Sequence, residues 1–73
     1  MEAVRSTTAE TSDELDRRAV IHDAAIREFS ARGFAGTSMG NIADAAGMSR
    51  PALYQYFRNK GDILASAFTS LVD

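Results

Sequence analysis

Residues 42–57 read IADAAGMSRPALYQYF, and the way this stretch folds decides the architecture of the chain. Ile42, Ala43 and Ala46 give a short apolar face before Gly47, and Leu53 and Phe57 lie one turn apart after it. Two short helices linked only by GMS meet at a steep angle, because so short a link cannot run them antiparallel over any length. The turn needs a left-handed residue, which Gly47 supplies without a Cβ penalty. The crossing needs a small side chain, Ala43, one turn before the glycine, and an apolar anchor, Leu53, six residues after it. That is the spacing of a helix-turn-helix. An alanine-rich helical hairpin that simply packs has the same spacing, so the outward residues have to separate the two.

With Leu53 and Phe57 turned inward, the second helix of the pair, read as residues 50–57, presents Arg50, Ala52, Tyr54, Gln55 and Tyr56. Arginine offers a fork of donors matched to guanine in the major groove, and glutamine pairs similarly with adenine. Tyrosine hydroxyls donate to phosphate oxygens, and Arg58 and Lys60 bring phosphate-binding charge to the far end. The N-termini near Ser38 and Asn59 add backbone N–H groups. This combination predicts a docking face for a DNA groove. Each residue also has a plainer reading: Tyr54 as a half-buried aromatic, Arg50 and Arg58 as solvated charges, Lys60 as a neutraliser of Asp62 or Asp44. Met39 and Met48 suit packing, although Met39 stands at a helix start within reach of a groove wall.

Outward from the motif, Thr37 and Ser38 are adjacent cap candidates for the helix that Gly47 ends. Ser49 caps the next helix, with Pro51 in its first turn where a missing N–H costs little. Asn59 caps a last helix whose stripe is Ile63, Leu64, Ala67, Phe68, Leu71 and Val72. Upstream, Ser12 or Asp13 caps a long helix with Val20, Ile21, Ala24, Ala25 and Phe29 on one face, and Gly33 closes it with Phe34 as the apolar follower. Residues 1–11 are polar, small and aperiodic, and read as a flexible tail. No stretch alternates as a strand would. The expected fold is all-α: a small helical bundle with a homeodomain-like three-helix core, a helix-turn-helix near 38–57 and the start of a fourth helix, in one domain over 12–73.

Composition narrows the chemistry. With 73 residues and no cysteine, the chain forms one small domain without disulfides or zinc-thiolate sites. No metal, cofactor or catalytic site is expected: the sole histidine, His22, reads as a surface residue without a partner cluster, and no nucleophile–base pair or glycine-rich phosphate loop occurs. The net charge of −2 argues against indiscriminate coating of nucleic acid. Local sign differs, since Arg50, Arg58 and Lys60 are the only charged residues between Asp44 and Asp62. There is no membrane span and no signal-peptide core, so a cytoplasmic location is expected.

Together these segments resemble the DNA-binding domain of the TetR family of bacterial transcriptional regulators, over roughly residues 15–68. Ile21, Ala24, Ala25 and Phe29 followed by Gly33 and Phe34 are similar to the family's first-helix run. TSMGNIADAAGMS resembles its Thr-Ser start and I-A-x-x-A-G-V-S, LYQYF resembles L-Y-x-H-F, and Lys60 with Ile63 and Leu64 resembles K-x-x-L. The resemblance implies a regulator of repressor type with the second helix of the motif in the major groove. It implies that Arg50, Pro51, Ala52 and Gln55 vary with operator sequence, while Ser38, Met39, Tyr54, Tyr56 and Lys60 hold the backbone; Ser49 completes the candidate set. Tyr56 stands where histidine is frequent, Pro51 where glycine is frequent, and Gly61 where an acid is frequent.

Family members continue into a helical domain that binds a small ligand and forms the dimer, and this sequence ends inside the fourth helix. It is therefore expected to be a piece of a longer regulator, to dimerise only with that domain present, and to bind a half-site of double-stranded DNA weakly and salt-sensitively. The alternative function is a protein-interaction module, in which the stripe of the fourth helix pairs with a full-length regulator.

Overall fold

Between Glu2 and Arg32 there is neither glycine nor proline, and a single helix, α1 (Glu2–Arg32), occupies that span in the computed structural model. The structure describes the backbone of residues 2–72 and the side chains of residues 14–69. α1 thus begins well before the cap expected at Ser12 or Asp13, and the tail expected over residues 1–11 is helical backbone from Glu2, because nothing there breaks the ladder. It ends where expected. Gly33 adopts φ 79°, its N–H donates to the Phe29 carbonyl at 2.7 Å, and Phe34 folds back so that its ring centroid lies 5.2 Å from that of Phe29.

Three shorter helices follow: α2 (Met39–Ala46), α3 (Arg50–Tyr54) and α4 (Lys60–Val72). The all-α expectation holds, with no strand among the described residues. α1 packs against α2 and α4, and α3 packs against α2. The core they share is Ile21 and Ala25 from α1, Met39, Ile42 and Ala43 from α2, Leu53, Phe57 and Ile63. Burying one such Ile or Leu stabilises by about 1.5–3 kcal/mol relative to exposure.

The periodic stripes read from sequence mark most of this core and miss its edges. Val20, assigned to the inner face of α1, is 52% exposed, and Phe68, assigned to the stripe of α4, is 61% exposed. Both neighbour residues that are buried, Ile21 and Ala67, so the buried strip of each helix is narrower than its apolar stripe. Leu71 and Val72 lie outside the described side chains.

Candidate nucleic-acid interface

The site is built by two caps and one turn. At the start of α2, Ser38 is extended, its Oγ accepts from the Asn41 N–H at 3.1 Å, and Asn41 Oδ1 accepts from the Ser38 N–H at 2.9 Å. This reciprocal pair is a capping box with asparagine in the place usual for Glu or Gln. Its neighbour Thr37 does different work. It is buried, and its Oγ1 donates to the carbonyls of Glu28 at 3.1 Å and Gly33 at 2.8 Å, tying the loop to the end of α1.

At the other end of α2, Gly47 takes φ 72° and its N–H reaches the Asp44 carbonyl at 3.1 Å, while the Met48 N–H reaches that of Ala43 at 2.9 Å. These two bonds form a Schellman closure, and Met48, the residue after the glycine, packs against the core as that motif requires. The chain then re-enters a helix at once. Ser49 Oγ accepts from the Ala52 N–H at 3.2 Å, with Pro51 in the first turn.

α3 is shorter than the 50–57 expected. It ends at Tyr54, Gln55 is its C-cap, and the Tyr56 and Phe57 N–H groups both fall on the Leu53 carbonyl, at 2.9 and 3.1 Å. Phe57 must reach the core while Asn59 starts α4, and the chain tightens between them to achieve both. Asn59 Oδ1 accepts from the Asp62 N–H at 2.8 Å, and Asp62 Oδ2 accepts from the Arg58 N–H at 3.1 Å.

The predicted contact residues therefore fall into two groups. Leu53 is fully buried, which turns Arg50, Pro51, Tyr54 and Gln55 out to solvent, with Ala52 half-buried beside them. Arg50 and Tyr54 are thus presented together, one turn apart on one short helix, with Gln55 exposed at the C-cap that follows. Ser38 and Ser49 are exposed at the two cap positions that flank them. Three others make contacts within the domain. Met39 is buried in the core. Tyr56 is half-buried against the core, with the Arg18 guanidinium 5.7 Å from its ring centroid. Lys60 Nζ donates to the carbonyls of Phe34 at 2.6 Å, Thr37 at 2.9 Å and Ala35 at 3.4 Å, above the Phe34 ring at 4.5 Å.

His22 is not the plain surface residue that its isolation in the sequence suggests. It is half-buried between helices, Nε2 lies 2.9 Å from Ser66 Oγ on α4, and its ring lies 5.8 Å from that of Phe57. Burial first, and then the positive charge of Arg18, hold its pKa below the ordinary value. No group of three or more potential metal-ligating side chains occurs among the described residues, and no described helix is long and apolar enough to cross a membrane.

Comparison with known proteins agrees with this geometry. A sequence profile of the family described as "Bacterial regulatory proteins, tetR family" matches residues 21–67. The chain is 40% identical over 68 residues to the HTH-type transcriptional regulator TtgR of Pseudomonas putida, covering 93% of this chain and 31% of that one. It is 44% identical over 50 residues to the HTH-type transcriptional regulator AcrR of Shigella flexneri, covering 68% of this chain and 23% of that one. Among solved structures, a TetR family transcription regulator from Marinobacter aquaeolei VT8 superposes with a TM-score of 0.76 at 35% identity, over 82% of this chain and 31% of that one. The chain thus spans about a quarter to a third of the length of these relatives. The profile match takes in both caps, the Schellman turn and the exposed face of α3, and this chain belongs to the tetR family of bacterial regulatory proteins, as a helix-turn-helix DNA-binding domain.

Proposed function

We propose that the chain reads a short half-site of double-stranded DNA by laying the exposed face of α3 in the major groove, and that it serves a cytoplasmic transcriptional repressor. One observation carries the reading: Arg50 and Tyr54 stand exposed on a helix of 5 residues whose Leu53 is wholly buried, with Gln55 exposed at its C-cap. Anchoring and presentation are thereby fixed by the same turn. Arg50 and Gln55 read base edges, Tyr54 and the exposed caps Ser38 and Ser49 contact the backbone, and Pro51 and Ala52 shape the approach.

The relatives are several times longer, so a dimer that spaces two such helices about 34–36 Å apart belongs to the whole regulator. The half-site alone binds weakly, with an affinity that falls as salt rises. The test is anisotropy titration of randomised duplexes at low and physiological salt, with sequencing of the bound fraction. An enriched motif is expected, with Arg50→Ala and Gln55→Ala each relaxing preference at a different base pair by about 1–3 kcal/mol. Equal binding of all sequences by the three proteins would remove the reading. Phe68, exposed on α4, favours a second reading in which that helix pairs with another chain. It requires concentration-dependent association in sedimentation equilibrium without any DNA.

A further inference from the structure

Gly40 stands in the first turn of α2, a position where glycine is intrinsically poor. Its backbone does not call for glycine, since Gly33 and Gly47 are the only described residues with positive φ. The space around it does. A Cβ at position 40 would lie 2.6 Å from Arg50 Nη2, 2.7 Å from Nε and 3.0 Å from Cζ. The Arg50 guanidinium, projecting from the start of α3, fills the volume that any other side chain at 40 would occupy.

The two nitrogens lie nearer to that Cβ position than Cζ does, which holds only when the position sits close to the plane of the group, so the Nε–Nη2 edge of the guanidinium, not its face, rests on the glycine. Guanidinium N–H donors lie in the plane and point outward from its rim. An edge-on seat therefore turns the Nε–H and one Nη2 donor toward α2 and leaves the Nη1 end of the fork free, and no carboxylate among the described residues pairs with it. What orients the group is shape rather than charge, so the donors at the Nη1 end arrive at a groove unpartnered and already aimed. A free arginine side chain has close to 2 kcal/mol of rotamer freedom to lose on binding, and a seat removes part of that loss beforehand.

We propose that Gly40 is a positioning residue for sequence recognition. By lacking a side chain it seats the Nε–Nη2 edge of Arg50, and this makes discrimination at one base pair a joint property of α2 and α3. The inference rests on the reading of α3 as a groove-binding helix. It adds that a residue outside that helix sets what the helix distinguishes.

The test compares the wild-type chain with Gly40→Ala, Arg50→Ala and the double variant. In free protein, NMR relaxation at Arg50 Nε–Hε is expected to show a restrained side chain in wild type and a mobile one in G40A. G40A is expected to melt no lower than wild type, because alanine is the better helix former. Against the enriched duplex and its variants, G40A is expected to lose preference at the Arg50-dependent base pair on the order of tenfold, within the range of a bidentate contact. That loss should vanish in the Arg50→Ala background. Unchanged preference in G40A, or an equal loss with and without Arg50, overturns the inference while leaving DNA reading intact. A wild-type chain that discriminates no sequence overturns the DNA reading, and the inference with it.

Discussion

Lys60 shows how a residue's type and its work can part. A lysine next to a DNA-facing helix suggests a phosphate contact, yet its ammonium has three carbonyl oxygens, from Phe34, Ala35 and Thr37, within 3.4 Å. These carbonyls belong to the loop between α1 and α2, outside any helix ladder, although that of Phe34 also accepts from the Thr37 N–H at 3.2 Å. The lysine closes that loop from the first residue of α4, more than twenty residues along the chain. Hydrogen bonds from a charged donor contribute about 1.5–3 kcal/mol each when well formed, less where water competes. Lys60→Met, which keeps the stem and removes the ammonium, is expected to lower stability by about 1–2 kcal/mol in urea denaturation. Tyr56 parts in the same way: the sequence presents it as a DNA contact, and the turn after Tyr54 delivers its ring to Arg18.

At the scale of elements, α2 and α3 have only 8 and 5 residues, too short to persist by propensity. Their ends matter accordingly. Ser38→Ala opens the capping box and is expected to cost about 1 kcal/mol, which for a domain of this size lowers the melting temperature by about 4–8 °C by calorimetry. The serines, Gly33, Gly47, Asn59 and the anchors Leu53 and Phe57 were all legible in the sequence, because each satisfies a local backbone requirement that its residue type announces. What stayed hidden depends on contacts between distant segments. Nothing in the spacing of Gly40 and Arg50 says that one lies on the other. Nor does a threonine beside a serine declare which caps and which anchors. The length of α3 was misread because its helical pattern continues to Phe57, while the burial of Phe57 and the cap at Asn59 bend the backbone sooner.

The whole molecule is held at one point by a side chain that titrates. His22 bridges α1 to α4 through Ser66, and its folded-state pKa lies below the ordinary 6.5 of the unfolded chain. Protonation does not break the bridge, since either ring form can hydrogen-bond a hydroxyl. What it costs is a charge placed under burial and beside Arg18. The unfolded chain therefore takes up its proton first as pH falls. Stability from this group is complete above about pH 6.5 and is lost as pH drops from there through the lowered folded value. Urea midpoints measured from pH 7.5 to 5 should show this decline, and His22→Gln should flatten it.

The Lys60 contact also has a meaning for ions. The salt dependence of DNA binding counts cations displaced from the phosphates, and each protein charge displaces them only as far as it can reach the DNA and leave its own surroundings. An ammonium clasped by carbonyl oxygens is in effect already coordinated, as a small cation would be in a chelating loop. If the domain binds DNA as proposed, the logarithmic slope of its affinity against salt is therefore expected to be smaller than the number of lysines and arginines near α3 would suggest.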